Sequence, residues 1–261
     1  MQIVIPMAGA GRRFTESGYK LPKPLLPVFG RPMAVQAALS LPQAERIIFI
    51  VLLEHVERYD ADKILLNHVP GCSVVAIESL SKGQAATVRY AIPFLDPWKP
   101  VTVAACDNIH LYRRSELCRA IASPEDSCIV WTFRRDPRVE RDPSAFGWAR
   151  LCQDNLTIDS VSCKRPLSEQ PLNDHALSGC FTFRDGAALQ RAVDGIIEGD
   201  FIVNGEFYLD HAPSALKLVG ESSRVFEVER YIGWGTPAEY EGFLKNTSDA
   251  AFERILASLL L

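Results

Sequence analysis

The chain lacks several signatures that would decide its class at once. Its seven cysteines, Cys72, Cys106, Cys118, Cys128, Cys152, Cys163 and Cys180, form no CxxC pair, and their number is odd. A zinc ribbon and a closed disulfide framework are thereby set aside, leaving reduced thiols as the reading. No apolar run approaches the roughly 20 residues that span a bilayer. Met1 to Ile5 leads straight into a Gly-rich turn, without the basic n-region or long apolar h-region of a signal peptide. A cytoplasmic location is the expectation. Positive charge is not in excess either: 28 Lys and Arg stand against 32 Asp and Glu, a net charge of -4. Without a clustered basic surface, neither nucleic acid nor an anionic membrane is an expected partner, and a small molecule is.

What is present suits a globular domain. The 261 residues, 48% hydrophobic and 23% charged, are enough for one sizeable core and too few for two independent ones. A single domain over residues 1–261 is expected. Short β-branched and apolar runs at Ile3–Ile5, Ile47–Leu53, Val74–Ile77, Val101–Ala105 and Ile129–Phe133 read as buried strands. Between them Met33–Ser40, His55–Asn67 and Gly83–Phe94 carry apolar residues at helical spacing. Strand and helix therefore alternate, which predicts an α/β fold: a mixed, mainly parallel sheet between two helical layers, of the Rossmann-like αβα kind.

The second half differs. Gly147–Leu151, Leu156–Ser162, Gly179–Phe183 and Leu216–Val219 predict shorter strands, interrupted by a polar stretch over Lys164–His175. From Pro237 to Leu261 the period returns to helical, with Phe243, Phe252, Ile255, Leu256 and Leu259 on one apolar face.

The strongest local signal is Pro6-Met7-Ala8-Gly9-Ala10-Gly11-Arg12-Arg13-Phe14, directly after the first strand. Glycine lets backbone approach an anion closely, and successive N–H groups in such a turn form a positive concavity. Arginine adds a planar fork that matches phosphate oxygens. The glycines alone are equally compatible with a tight strand-to-helix turn bearing solvated arginines. A Walker A loop is excluded because Gly-Lys-Ser/Thr is missing, and the GxGxxG fingerprint fails because Phe14 takes the third glycine position. Next comes Leu21-Pro22-Lys23-Pro24-Leu25, where prolines on both sides present Lys23 from a stiff, extended segment. A stiff lysine holds charge against a reacting phosphate with little entropy to lose.

These two segments resemble the signature of the sugar-phosphate nucleotidylyltransferase family, an AGxGxRF-like loop followed by PKPL. Tyr231-Ile232-Gly233-Trp234-Gly235-Thr236-Pro237-Ala238-Glu239-Tyr240 resembles the family's GTPxDL-type segment, in the same order along the chain. The resemblance runs from Ile3 to about Phe243, without the left-handed helical domain that some relatives append. It implies an enzyme that moves a nucleoside monophosphate from a triphosphate to a small phosphorylated acceptor, often on the way to surface polysaccharides. Residues up to about 135 would bind the nucleotide, and those from about 136 the acceptor. Ala8, Gly9 and Gly11 would line the nucleotide path, Arg13 would hold the distal phosphates and Lys23 would face the α-phosphate. Arg12, where many relatives have Ser or Thr, either adds to triphosphate binding or faces water.

The same resemblance places a base-reading loop at Glu78 to Ala86, with Gly83 admitting the base. Glutamine is common where this chain has Glu78 in relatives that use thymidine or uridine triphosphate. An ionised glutamate accepts hydrogen bonds and donates none, which favours CTP or GTP over UTP. Glu78 reads equally well as a solvated strand-end residue. Asp107 closes an apolar strand, where open α/β sheets place ligand-binding groups, and resembles the family's magnesium aspartate. The family's second aspartate falls on Gly233, so Glu206 or Asp210 would have to substitute, or Mg2+ would rest on Asp107 and water. Around the acceptor the resemblance names Gly147, Gly179 and, in Lys164-Arg165-Pro166, Arg165. The last stretch reads as either an acceptor contact or an exposed basic loop. Two alternatives stay open: a cytidylyltransferase for a non-sugar phosphate, and a non-catalytic nucleotide-binding module. A homo-oligomer is compatible with either.

Overall fold

The computed structural model describes residues 1–123 and 125–258. Its main sheet has nine strands, numbered here in chain order: β1 Gln2–Pro6, β2 Arg46–Leu52, β3 Ser73–Ile77, β4 Val101–Ala104, β5 Asp126–Phe133, β6 Gly147–Leu151, β7 Ile158–Cys163, β8 His175–Phe183 and β9 Ser222–Glu227. The order across it is β7-β6-β8-β4-β1-β2-β3, with β5 beside β8 and β9 outside β5. The pairs β1–β2, β2–β3, β1–β4 and β5–β9 are parallel, whereas β8 runs antiparallel to β4, β5 and β6. The alternating first half thus forms most of the parallel part, and the second half a mixed extension in which β9 lies parallel to β5.

Side-chain alternation explains why both faces are covered. In β1, Val4 faces one apolar layer while Ile3 and Ile5 face the other; in β2, Ile48 and Ile50 oppose Phe49 and Val51. The first layer packs on the helix Gly186–Glu198 through Leu189, Ala192, Val193 and Ile196, and that helix is started by Asp185, whose carboxylate accepts the Ala188 N–H at 2.7 Å. The second layer packs on Ala34, Val35 and Ala38 of the helix Met33–Leu39, and on Ala61 and Leu65. These are helices on both faces of a mixed sheet, the expected fold class.

Three expectations about elements need correction. Leu216–Val219 is not a strand: it closes the helix Ala212–Leu218, which starts with Pro213 in its first turn and buries Ala212, Ala215 and Leu216 at helical spacing. The strand of that region is β9, a few residues on. Four residues, three of them apolar around Lys217, carry too little period to separate the two. The helix expected over His55–Asn67 is two, Leu53–Tyr59 and Ala61–His68, parted by Asp60 in left-handed backbone at φ 51°. Gly83–Phe94 begins as the helix Gln84–Val88 and tightens to a 3₁₀ turn over Arg89–Phe94, which contains Pro93. The C-terminal helices run Pro237–Asn246 and Asp249–Ser258, and Leu259 lies outside the described residues.

A third apolar cluster joins the two ends of the chain. Phe14, Leu26, Val28 and Met33 meet Ile109, Ile232, Trp234, Tyr240 and Phe252, all buried. The strand pair Asn108–Leu111 with Arg230–Gly233 runs through it, and Tyr240 donates to the Pro27 carbonyl at 2.6 Å. Truncating Phe14→Ala removes a ring that is 1% exposed and sits edge-on to Tyr19 and Tyr240. We expect a loss of about 3–5 kcal/mol of stability in urea denaturation, the range for large aromatic truncations in a core.

Candidate functional site

Strand order reverses at β1. The chain steps from β1 outward to β2 and β3, then returns to place β4 on the other side of β1, in register Gln2↔Val101, Ile3↔Thr102 and Val4↔Val103. Such a switch point leaves a crevice beyond the carboxyl ends of the two strands. The Gly-rich turn leaves β1 into that crevice, and Asp107 sits in the turn after β4.

A cavity of about 890 Å³ occupies the crevice and extends toward β6 and β8. Among its lining residues are Arg13, Lys23, Asp107, Gly147, Gly179 and Glu206, so six of the residues singled out by sequence converge there. Gly11 caps the helix Arg12–Glu16 in left-handed backbone at φ 58°, and a Cβ there would lie 3.4 Å from the Lys23 Cβ. The loop thus lies directly on the lysine. Lys23 opens a 3₁₀ turn, Lys23–Leu25, rather than an extended run, with Pro22 before it in extended backbone. Its Nζ forms an ion pair with Asp107 Oδ2, lies 3.5 Å from the Gly235 carbonyl and sits 5.5 Å from the centre of the Phe14 ring. Burial by itself pulls the Lys23 pKa down, but Asp107 outweighs it and the net shift is upward. Lys23 is a fixed cation.

The C-terminal motif reaches the same place from below. Trp234 N–H donates to the Asp107 carbonyl at 2.8 Å, which seats Gly235 so that a Cβ there would lie 3.7 Å from Asp107 Oδ2 and 3.4 Å from Glu239 Oε2. Glu239 is already engaged: with Thr236 it forms the reciprocal cap of the helix Pro237–Asn246. At Gly233 a Cβ would meet the Tyr231 ring at 2.9 Å and Arg138 Nη1 at 3.0 Å. Arg138 is held there by Asp136 at 2.5 Å, by the Tyr231 carbonyl at 2.8 Å and by stacking 4.6 Å over the Tyr231 ring, itself stacked on Phe133. The Tyr231 ring and the Arg138 guanidinium therefore fill the space in which a side chain at residue 233 would lie.

Other expected residues fall around this centre. Ala8 is buried, Gly9 and Arg12 are exposed, and Glu78 is exposed beyond the end of β3; none of the four lines the cavity. Gly83 serves a close backbone approach: at φ 98° and ψ 178°, its Cβ would lie 2.7 Å from both the N and O of Phe207, whose N–H donates to the Lys82 carbonyl at 2.8 Å. That contact carries Glu206 to the cavity. Gly179, at φ 77°, marks the register break in β8 and accepts the Ala105 N–H at 3.1 Å. Arg165 points outward and is exposed, while its neighbour Lys164 lines the cavity, with Nζ on the Ala145 carbonyl and 5.2 Å over the Tyr208 ring. Lys164 has left-handed backbone at φ 62°, a turn that reverses which of the two basic side chains faces in.

Sequence reasoning passed over Arg138, Arg141 and Tyr208, which also line the cavity. Arg138 and Arg141 lie in the basic stretch from Arg134 to Arg141, where no strand or glycine turn announces a site. A second concavity of about 720 Å³, lined by Arg134, Arg150, His175 and Glu227, contains none of the motif residues. Among the described residues no group of three or more His, Cys, Asp or Glu could hold a metal ion by itself, and no helix is long and apolar enough to cross a membrane.

Comparison with known proteins bears on the family and the fold. The family described as MobA-like NTP transferase domain matches residues 3–191, which include the Gly-rich turn, Lys23, Asp107, Gly147 and Gly179. The bifunctional protein GlmU of Bacillus subtilis is 26% identical over 235 residues, 87% of this chain and 47% of GlmU. GlmU of Burkholderia multivorans is 31% identical over 169 residues, 62% of this chain and 35% of that protein. The chain thus spans less than half the length of these curated relatives. Among solved structures, the nucleoside-diphosphate-sugar pyrophosphorylase from Vibrio cholerae RC9 is similar with a TM-score of 0.74 at 20% identity, covering 94% of this chain and 100% of that one. The inositol-1-phosphate CTP transferase from T. maritima gives 0.74 at 16%, covering 99% and 95%. At those identities the likeness is one of fold.

The close approach at Gly83 is testable without any ligand. Its backbone lies in a region open essentially to glycine, and the atoms a Cβ would strike are main chain. Gly83→Ala is expected to cost about 1–3 kcal/mol in strain, read as a lowered midpoint in chemical denaturation.

Proposed function

The chain belongs to the MobA-like NTP transferase domain family, and from that premise we propose that it transfers the nucleoside monophosphate of CTP or GTP to a sugar phosphate, releasing pyrophosphate. The observation that carries this reading is the Lys23–Asp107 pair at the switch point, beneath the Gly-rich turn and beside Arg13. A permanent cation and a carboxylate meet there at the open end of a parallel sheet, in a cavity large enough for two substrates.

In this reading a phosphate oxygen of the acceptor attacks the α-phosphorus of the triphosphate. The new O–P bond forms as the bond to the bridging oxygen breaks, and its electron pair leaves with pyrophosphate. A phosphate monoester is already anionic near neutral pH, so no general base is required. Catalysis rests on alignment and on charge: Lys23 is placed for the α-phosphate, Arg13 at the exposed mouth for the distal phosphates, and the turn from Ala8 through Gly11 for close backbone contact. Arg12, exposed and off the cavity, stays a contact for the triphosphate tail at most.

The donor set fits magnesium. Asp107 offers hard carboxylate oxygens at the cavity, and magnesium takes most of its shell from phosphate oxygens and water. Asp107 would hold the ion, with Glu206 as a further carboxylate on the cavity wall; bound there, Mg2+ neutralises phosphate charge. Arg138 beside Gly233 puts a fixed positive charge where a second carboxylate would otherwise stand.

On the acceptor side Gly147, Gly179 and Lys164 line the cavity, and Arg165 contributes charge from outside it. Glu78, at the open end of β3, is the group we assign to reading the base, and Gly83 sets the floor of that loop. The whole of residues 1–261 acts as one domain in the cytoplasm.

Pyrophosphate release from CTP, GTP, UTP and dTTP with phosphorylated sugars tests the reaction; turnover confined to UTP or dTTP removes the proposed base preference, and no release from any pair removes the reaction. Lys23→Ala is expected to lower kcat on the order of 100- to 1000-fold, the cost of deleting one preorganised charge at a reacting centre. Near-normal turnover in that variant would exclude the role given to Lys23. Glu78→Gln should shift preference from CTP or GTP toward UTP in a competition assay, with little change in melting temperature.

A further inference from the structure

The acceptor end of the cavity holds a carboxyl group that the reaction does not use. Asp210 is 8% exposed and lines the cavity with Gly147, Leu177, Ser178, Lys164 and Tyr208. Its seat is made by a glycine: a Cβ on Gly147 would fall 2.2 Å from Asp210 Oδ2 and 2.9 Å from its Cγ. The side-chain hydrogen bond it accepts is a weak one, from the Cys163 thiol at 3.6 Å. Lys164 turns its ammonium to the Ala145 carbonyl and the Tyr208 ring. Facing the cavity with one weak donor, the carboxyl group has room for stronger hydrogen bonds if something else supplies donors. We propose that the something else is the acceptor: Asp210 is a specificity-determining residue that takes hydrogen bonds from the hydroxyl groups of a polyhydroxylated phosphate, a sugar or polyol phosphate.

This inference rests on the nucleotidyl-transfer reading for the identity of the site and names the residue that reads its acceptor. Two observations select hydroxyl groups over a quaternary ammonium head. The face of Tyr208, the aromatic ring beside Asp210 that could cradle such a head, is taken by Lys164. Lys164 also adds positive charge to that end of the cavity, suiting an acceptor whose own charge is negative. Burial raises the Asp210 pKa, with Lys164 and His211 pulling the other way.

The test is isothermal titration of the whole chain, preloaded with CTP or GTP in calcium to hold back turnover, with glucose 1-phosphate, mannose 1-phosphate, glycerol 3-phosphate and phosphocholine as probes. The wild type should bind at least one hydroxylated probe more tightly than phosphocholine. Asp210→Asn and Gly147→Ala should each weaken that probe about 10- to 100-fold, the effect of losing one to two hydrogen bonds to a charged group. Nucleotide affinity should stay within about twofold, and the melting temperature of Asp210→Asn should not fall, because it removes a buried charge. A merely structural aspartate would give the reverse: a lower melting temperature with acceptor affinity unchanged, which overturns the proposal. Preference for phosphocholine, or no binding of any hydroxylated probe, overturns it as well. Pyrophosphate release measured in magnesium on the same samples separates the two layers: hydroxylated probes that bind through Asp210 without release sink the transfer reaction and leave the anchor standing.

Discussion

The ion pair of Lys23 with Asp107 closes a gap of 84 residues and fixes the relation of the two strand ends on which the site depends. A lysine drawn from water is costly, and here the carboxylate beside it more than offsets that cost. Either partner alone would leave a buried charge unmatched. The surroundings serve to keep the two together: Gly11 gives the lysine stem room, Pro22 and Pro24 limit its backbone, and Trp234 N–H pins the backbone of Asp107. The aromatic cluster of Phe14, Trp234 and Tyr240 then holds the opening and closing segments of the chain against one another.

The parallel half of the fold was legible because strands buried on both faces must be apolar along their whole length. Ile3–Ile5, Ile47–Leu53 and Val101–Ala105 can bury both faces in no other common way, and each lies in or within a residue of an observed strand. Legibility faded where local backbone decides against the apolar pattern. Asp60 enters left-handed backbone and cuts one helix into two, which no hydrophobic period announces. Leu216 and Val219 lie in a run too short for its period to speak, and the longer segment from Ala212 was needed to show its helical face.

The site shows the same division. Lys23 stood out by the prolines that flank it and Asp107 by its place after an apolar strand, and the fold brings the two together. Residues supplied by folding could not be read this way. Arg138 reaches the cavity through the tight turn after β5, and its importance rests on a neighbour that is absent, the side chain that Gly233 does not have. Lys164 and Arg165 are adjacent and alike in charge, and a single left-handed φ determines which one faces in.

One backbone hydrogen bond, from Phe207 to Lys82, deserves a final reckoning. It stitches the loop ahead of the helix Gln84–Val88 to the short strand Glu206–Phe207. With no side chain on Gly83 to hold them apart, the two segments share one surface. A shift in the backbone of either segment therefore meets its neighbour directly. The seam between the two segments is thus made of main chain rather than of side chains.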